Sequence, residues 1–367
     1  MNQESGNPKP IRVLVADDSA FMRTALSRMI ESDADLKVSA TACTGQEALE
    51  KIPRLDPDVV TLDVEMPGIN GLETLRHIMK EFPRPVIMVS SLTQEGAETT
   101  LEALSIGAFD YLPKQSSFVS LDIIKIRDEL IAKIKAAAGS HRRLRLRSNA
   151  PAAAPAAAPA VQQIRHNPNR SPAALVALGT STGGPKALQE ILPMLPADLS
   201  VPVVVVQHMP PGFTGPFARR LNNLCKVRVQ EARTEETLSA GAVYIAPAGQ
   251  HMTVYRPSSS RVAVRLSHSP ENLLHMPSVD VMMLSVAETF RSLAMGVIMT
   301  GMGADGAKGM QAIAREGGMT VGQDEATCTV YGMPRVCAES GILQRVVSLQ
   351  QIPEQILQAT HYKQRTQ

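Results

Sequence analysis

The sequence predicts two doubly wound α/β domains joined by a linker, with a β-hairpin in the second domain. Short apolar runs alternate with stretches of helical periodicity in both halves of the chain, a pattern typical of strand–helix units in parallel sheets. An alanine- and proline-rich run at residues 150–159 separates the halves and has no large side chain to pack. The length of 367 residues also suits two domains at roughly 150 residues each.

In the first domain, residues 10–135, five strands are predicted with helices between them. They span residues 11–16, 37–42, 59–62, 85–89 and 110–112. A helix from about residue 121 to 138 follows, and then a basic cluster that includes Arg142 and Arg147. We interpret this cluster as a solvated helix end rather than a nucleic-acid-binding arm, since basic residues complement the dipole at a helix C-terminus. The linker is assigned to residues 136–173.

The same alternation resumes in the second domain, residues 174–362. Predicted strands span residues 174–178, 201–206, 243–246, 295–299, 319–321 and 345–349. Two alternating runs within residues 252–266 flank Pro257 and three serines, which predicts a hairpin. We therefore expect a mixed sheet in this domain.

Composition excludes several classes of protein. Lys and Arg total 37 against 35 Asp and Glu, a net charge of +2 that gives no electrostatic reason to bind nucleic acid or a membrane surface. The four cysteines show no metal-ligand spacing and are expected to be free thiols in a reducing compartment. No apolar run approaches the roughly 18 residues of a membrane span, so we expect a cytoplasmic protein that does not insert into membranes. Because there are 7 Phe, 5 Tyr and no Trp, both cores should be built from aliphatic residues and from the 18 Met.

Charged and hydroxyl side chains follow the predicted strands of the first domain. They are Asp17 and Asp18 after the first strand, Asp63 after the third, Ser90 after the fourth and Lys114 after the fifth. The carboxyl ends of parallel strands share one crevice, so these side chains should converge. Crowded carboxylates need a compensating charge, which Mg²⁺ and a lysine supply while leaving room for a phosphoryl group. One carboxylate can then be the nucleophile toward phosphorus. Taken singly, the Asp17–Asp18 pair also fits a helix N-cap and Asp63 a turn.

With the run Asp63-Val64-Glu65-Met66-Pro67-Gly68 included, residues 10–130 resemble the receiver domain of two-component response regulators. The resemblance implies that Asp63 is the phosphoacceptor and that Asp17 and Asp18 are the acidic pair that binds Mg²⁺. It also implies that the backbone carbonyl of Glu65 is a further metal ligand, with Ser90 as the hydroxyl switch and Lys114 as the phosphoryl-binding lysine. Receivers usually have proline after this lysine, where the present chain has Gln115.

Three polar residues follow strands of the second domain and form a possible catalytic set. Ser181 lies in the glycine-rich turn Gly179-Thr180-Ser181-Thr182-Gly183-Gly184, His208 ends the next strand, and Asp305 lies in a second glycine-rich loop, Thr300–Gly306. A serine activated by a histidine that an aspartate orients is the arrangement used for acyl transfer.

Other interpretations of these motifs remain open at this point. The turn at Ser181 also suits phosphate binding by helix amides, but a dinucleotide site calls for an acidic residue where the chain has His208. The order Ser, His, Asp differs from the Ser, Asp, His of α/β-hydrolases. His251, His268 and His275 rank lower because no glycine-rich loop accompanies them, and Cys328 has no histidine in its segment.

The combination of a receiver with G-T-S-T-G-G, Q-H-M-P, T-G-M-G-A-D-G and Y-G-M-P-R resembles the CheB family of chemotaxis methylesterases over nearly the whole chain. The resemblance implies that Ser181 is the nucleophile, His208 the general base and acid, and Asp305 the residue that orients it. Backbone amides of Thr182 and Met302 would form the oxyanion hole. Thr180 replaces a family alanine, and we expect this to alter only local packing.

The resemblance also implies what the chain does. It implies hydrolysis of glutamate γ-methyl esters, with release of methanol, and deamidation of selected glutamines on the cytoplasmic helices of methyl-accepting chemoreceptors. A chemotaxis histidine kinase would be the phosphodonor, Mg²⁺ would serve the receiver, and the catalytic domain would need no cofactor. The unphosphorylated receiver would cover the active site. A receiver-controlled nucleotide-binding module is the alternative, while a DNA-binding output domain would need a compact helix-turn-helix that the sequence does not offer.

Overall fold

Parallel strands build both domains, each around its own sheet. The computed structural model describes residues 9–91, 93–114, 122–149 and 171–362. The chain forms two compact units, Met1–Ala153 and Ala154–Gln367. The alanine- and proline-rich run at 150–159 and Gln115 lie outside the described residues, so the predicted domain boundaries stay predictions.

The first unit is a five-stranded parallel sheet with strand order β2-β1-β3-β4-β5. Its elements are β1 (Ile11–Ala16), α1 (Ala20–Glu31), β2 (Leu36–Ala42), α2 (Gly45–Leu55), β3 (Val59–Asp63), α3 (Gly71–Glu81), β4 (Val86–Ser91), α4 (Gln94–Ile106), β5 (Asp110–Lys114) and α5 (Asp122–Asn149). Side chains at the N-caps fix where helices begin: Ser19, Thr44, Asn70 and Thr93 each accept a hydrogen bond from a backbone N–H of the first turn.

The second unit is a seven-stranded sheet with order β14-β13-β12-β6-β7-β9-β8, beside a two-stranded hairpin of β10 and β11. Its elements are β6 (Leu175–Thr180), α6 (Gly184–Ile191), β7 (Val203–Gln207), α7 (Thr214–Leu224), β8 (Arg228–Glu231), β9 (Ala242–Ile245), β10 (His251–Ser258), β11 (Arg261–Ser267), α8 (Val279–Phe290), β12 (Ala294–Ile298), α9 (Ala307–Arg315), β13 (Met319–Gln323), α10 (Met333–Glu339), β14 (Arg345–Val347) and α11 (Ile352–Ala359). Short 3₁₀ turns precede β12 and α11 and follow α6.

The predicted fold class is confirmed, two local expectations are wrong, and one strand was not predicted. The second large sheet is wholly parallel rather than mixed, because the hairpin strands pair with each other and not with it. Strand β8 was not predicted, since it is a four-residue edge strand with charged side chains, which weakens the apolar signal. Helix α5 continues to Asn149, well beyond the expected end near residue 138 and into the segment assigned to the linker.

Aliphatic and methionine side chains fill both cores, as the composition predicts. The first core is formed mainly by Val, Ile and Leu from the strands and from the inner faces of α1 and α5. The second adds methionines such as Met282, Met283 and Met310. Its few fully buried aromatics include Tyr244, Phe213 and Phe217. Among the described helices, none is both long and apolar enough to cross a bilayer.

We expect Ile87→Ala to destabilise the first unit by about 2–5 kcal/mol, because Ile87 is fully buried on β4 and its truncation leaves a cavity. Ile124→Ala on α5 is the matched control: Ile124 is 49% exposed, so its truncation should change stability by no more than about 0.5 kcal/mol. Urea unfolding of the full chain, monitored by hydrogen exchange in peptides of the first unit, measures both. Equal losses in the two variants would contradict the assigned core.

Candidate functional site

Three carboxylates and a lysine meet at the carboxyl edge of the first sheet. Ligand oxygens of Asp17, Asp18 and Asp63 lie within 4.8 Å of one another. Lys114 Nζ lies 2.7 Å from Asp63 Oδ2 and 3.1 Å from Asp17 Oδ2. Asp17 and Asp18 follow β1 and Asp63 ends β3, so the cluster lies where two adjacent parallel strands end, as the sequence predicts.

Burial shapes the electrostatics of this cluster. It raises the pKa of Asp63 to about 6, helped by the negative charge of Asp17 and opposed by Lys114. Burial alone would lower the pKa of Lys114, but the carboxylates of Asp63 and Asp17 raise it overall. The lysine therefore stays charged, but its single positive charge does not balance three carboxylates. Such a set of oxygens suits a hard divalent cation.

Glu65 and Ser90 lie next to these groups. The backbone N–H of Glu65 donates to Asp63 Oδ1 at 3.2 Å. Ser90 is buried at the end of β4, and its hydroxyl donates to the carbonyl oxygen of Gly96 in the first turn of α4, at 3.2 Å. In this structure the Ser90 hydroxyl is thus engaged with α4 rather than with the carboxylates.

Ser181, His208 and Asp305 meet at the carboxyl edge of the second sheet. Thr180 on β6 is aligned with Gln207 on β7, so Ser181 and His208 are the next residues on neighbouring strands, which lie about 4.8 Å apart. Strand β12 pairs with the other side of β6, and the backbone N–H of Ser181 donates to the carbonyl oxygen of Thr300 at 3.0 Å. His208 Nε2 lies 2.8 Å from Asp305 Oδ2.

The Asp305 carboxylate receives hydrogen bonds from the start of α8 as well as from His208. Ser278 Oγ donates to Oδ1 at 2.8 Å, and the backbone N–H groups of Val279 and Asp280 donate at 2.7 and 3.0 Å. Burial alone would raise the pKa of Asp305, but His208 and these N–H groups outweigh it, so this pKa lies well below the usual range. Asp305 is therefore ionised and can only accept hydrogen bonds.

This ionisation fixes the roles of the two ring nitrogens of His208. Because Asp305 can only accept, Nε2 must carry the proton that is donated to it. Nδ1 is buried and has no hydrogen-bond partner among the described residues. In neutral His208 it is thus a free lone pair, the group that a general base needs. The Ser181 hydroxyl makes no hydrogen bond to the part of the chain that is described, and catalytic hydrogen bonds often tighten only when substrate is bound.

Asp280 ties the loop of Asp305 to α8 from the opposite side. Its carboxylate accepts the backbone N–H of Gly309 in the first turn of α9, at 2.8 Å. The two contacts are thus reciprocal. Asp305, which precedes α9, accepts backbone N–H groups of α8, and Asp280, which belongs to α8, accepts a backbone N–H group of α9. These contacts hold the N-termini of α8 and α9 together beside Asp305, the residue that binds His208.

Glycines shape the turn that presents Ser181. Gly183 has φ +77°, a left-handed conformation that residues with a side chain rarely adopt. A Cβ on Gly301 would lie 2.9 Å from Ser181 Cβ, so only glycine lets the two loops approach so closely. The backbone N–H groups of Thr182 and Met302 have no hydrogen-bond partner within the described ranges, which leaves them available to an oxyanion.

Gln207 was not predicted as a functional residue. Its side-chain Nε2 donates to the carbonyl oxygens of Ser181 and His208 at 3.1 and 2.9 Å. Its Oε1 accepts from the hydroxyl of Thr180 at 2.6 Å. The expectation that Thr180 alters only local packing is therefore wrong, because its hydroxyl orients the amide that joins the two candidate residues.

Two of the lower-ranked histidines also belong to this region. The ring of His275 stacks on that of His208, with centroids 3.9 Å apart and planes at 17°. His251 is fully buried, and its Nδ1 accepts the backbone N–H of Ser278 at 3.1 Å. Both histidines rank low on sequence because no glycine-rich loop accompanies them. Their positions depend instead on how the hairpin packs, which the sequence pattern does not show. Cys328 lies in another loop, and its Sγ is 4.0 Å from the Gln323 carbonyl oxygen.

An acidic receiver-type cluster in one unit and a Ser–His–Asp set in the other define a response regulator whose second domain has a hydrolase-like site. The family "CheB methylesterase" matches residues 176–356, and "Response regulator receiver domain" matches residues 13–124. The chain therefore belongs to the CheB methylesterase family, with an N-terminal receiver domain.

Curated relatives cover almost the whole chain. A protein-glutamate methylesterase/protein-glutamine glutaminase of Oleidesulfovibrio alaskensis is 46% identical over 96% of this chain and 100% of its own length. One of Symbiobacterium thermophilum is 48% identical over 96% and 97%. The crystal structure of the Thermotoga maritima CheB methylesterase catalytic domain is 38% identical, covers 51% of this chain and 99% of that one, and has a TM-score of 0.50. These relatives give no support to the nucleotide-binding alternative.

The low pKa of Asp305 makes the second unit acid-sensitive. Folding lowers this pKa below the usual 3.8, so its contribution to stability is complete above pH 3.8 and is lost as the pH falls further. The slope of the free energy of unfolding against pH reports how many protons are taken up on unfolding. Below that pH we expect Asp305→Asn to lower this number by up to about one proton. Urea unfolding at a series of acidic pH values measures the slope, with the exposed Asp198→Asn as control. An unchanged slope in Asp305→Asn would contradict the assignment.

Proposed function

We propose that this chain is a phosphorylation-regulated protein-glutamate methylesterase and protein-glutamine glutaminase. The single observation that carries the proposal is the hydrogen bond between His208 Nε2 and the ionised Asp305, which leaves Nδ1 as a free base at the strand end beside Ser181. Its substrates are glutamate γ-methyl esters and selected glutamines on cytoplasmic helices of chemoreceptors. The names of the relatives support the chemistry, and we place the reaction in the cytoplasm with those helices.

The reaction is one acyl transfer with two leaving groups. His208 Nδ1 takes the proton of the Ser181 hydroxyl as Oγ attacks the side-chain carbonyl carbon. The backbone N–H groups of Thr182 and Met302 bind the resulting oxyanion. The imidazolium then returns its proton to the leaving methoxide or amine, which departs as methanol or ammonia. Water, deprotonated by the same Nδ1, attacks the acyl-serine carbonyl. As the ester bond breaks, the imidazolium returns this proton to Ser181 Oγ, which releases the glutamate side chain and restores the serine hydroxyl.

Asp305 acts on this cycle through His208. Its carboxylate accepts the Nε2–H bond throughout and stabilises the positive ring that forms when Nδ1 gains a proton. Because three donors from the start of α8 bind the same carboxylate, Asp305 stays in place and the imidazole ring keeps the required tautomer.

We further propose that the receiver is phosphorylated on Asp63 by a chemotaxis histidine kinase. Asp17, Asp18 and Asp63 would hold Mg²⁺ together with the backbone carbonyl of Glu65, and their clustered oxygens fit such an ion. When bound, the ion neutralises phosphate charge. Lys114 would pair with the phosphoryl group, and Ser90 would leave the Gly96 carbonyl oxygen to bind it. The phosphoryl group would add a charge of about −1.5 to −2 and so make this edge of the sheet more negative.

Methanol release from methyl-labelled receptor membranes tests the chemistry and its regulation together. We expect Ser181→Ala to lower the rate by at least about 10³-fold, because the nucleophile is lost. Asp63→Asn should keep the basal rate and lose stimulation by Mg²⁺ plus a small phosphodonor, and chelation of Mg²⁺ should abolish this stimulation in the wild type.

Two results would contradict these proposals separately. Release that does not depend on Ser181 would overturn the catalytic assignment. Stimulation that persists in Asp63→Asn would overturn the phosphoacceptor assignment and leave the catalytic one standing.

A further inference from the structure

The connection between β11 and α8, residues 268–278, places a second imidazole against His208. The rings of His275 and His208 are nearly parallel, with planes at 17° and centroids 3.9 Å apart. The His208 side chain is only 7% exposed. One face of the proposed general base is therefore covered by an aromatic ring from a different part of the chain.

This connection is fixed at both ends, chiefly by the buried His251 at the start of β10. Since His251 Nδ1 accepts the Ser278 N–H, its Nε2 carries the ring proton and donates to the carbonyl oxygen of Pro270 at 3.0 Å. The backbone N–H of Gly249 also donates to the carbonyl oxygen of Met276, at 3.0 Å. His275 is thus held at a defined place and does not depend on the His208 contact alone.

A hydrogen bond at one ring nitrogen leaves the plane of an imidazole undetermined. Asp305 binds only Nε2 of His208, and Nδ1 has no hydrogen-bond partner among the described residues. Rotation about the Cβ–Cγ bond would move Nδ1 relative to Ser181 while the Nε2 contact adjusts. A parallel ring at van der Waals distance opposes that rotation, because tilting either ring brings their atoms into collision.

We propose that His275 is a positioning residue that fixes the ring plane of His208, so that Nδ1 faces Ser181. This inference rests on the proposed function of the Ser181–His208–Asp305 set. His275 acts through the face of its ring, and the role requires no proton transfer at His275. Its loss should therefore slow the chemical step and leave substrate binding unchanged, since misplacing a catalytic group by about 1 Å can cost up to about 10²-fold in rate.

The experiment compares variants of the full chain with and without a ring at position 275. Initial rates of methanol release are measured over a range of methyl-labelled receptor membranes, with Mg²⁺ and a small phosphodonor present. His275→Ala and His275→Leu remove the ring, and leucine retains most of the volume in case alanine fails to fold. His275→Phe restores a ring that cannot transfer protons. His268→Ala is the control, because His268 is an exposed histidine of the same connection.

We expect kcat to fall about tenfold or more in His275→Ala and His275→Leu, with KM unchanged. His275→Phe should restore kcat to within about threefold of the wild type, and His268→Ala should match the wild type. Wild-type kcat in the leucine variant, a change confined to KM, or a phenylalanine variant as slow as the leucine one would each overturn the role of His275. Failure of the proposed function is distinguishable, because wild-type release would then be absent or would persist in Ser181→Ala.

Discussion

The arrangement of the second domain depends on one ionised carboxylate, that of Asp305, bound at the N-terminus of α8. Two backbone N–H groups and the Ser278 hydroxyl bind it on one side, and His208 Nε2 binds it on the other. Because the carboxylate stays charged, it sets the tautomer of His208 and leaves Nδ1 unprotonated, as the proposed base requires. Asp280 completes this arrangement by capping α9, which joins the loop of Asp305 to the helix that binds it. The N-terminus of α8 and the buried charge of Asp305 thus place the proton of neutral His208 on Nε2.

Both candidate sites lie where the strand order of a parallel sheet reverses. In the first sheet the reversal falls between β1 and β3, whose ends carry Asp17 and Asp63. In the second it falls between β6 and β12, which are followed by Ser181 and the loop of Asp305. Connections leave such a point on opposite faces and open a crevice at the carboxyl edge. One topological rule therefore accounts for the position of an acidic site in one domain and of the proposed nucleophile in the other.

Much of this organisation could be predicted from sequence, because it depends on local order along the chain. Apolar runs give the strands, and the polar residues that follow them must meet at one edge, which is how Asp63 and Ser181 were found. Gln207, Asp280, His251 and His275 could not be found in this way. Their contacts join residues 26 or more positions apart and arise only when loops and the hairpin pack. The wholly parallel second sheet escaped prediction for the same reason, since the sequence alone does not show which strands pair. The short edge strand β8 escaped because its charged side chains weaken the apolar signal.

The tautomer of His208 tests the central claim most directly. Nitrogen NMR of the full chain labelled with ¹⁵N-histidine, with the His208 signals assigned through His208→Gln, separates protonated from unprotonated ring nitrogens. In the neutral ring we predict a protonated Nε2, a free Nδ1, and loss of this preference in Asp305→Asn. A protonated Nδ1 in the wild type would contradict the assignment of the base, because that nitrogen could not then accept the proton of Ser181.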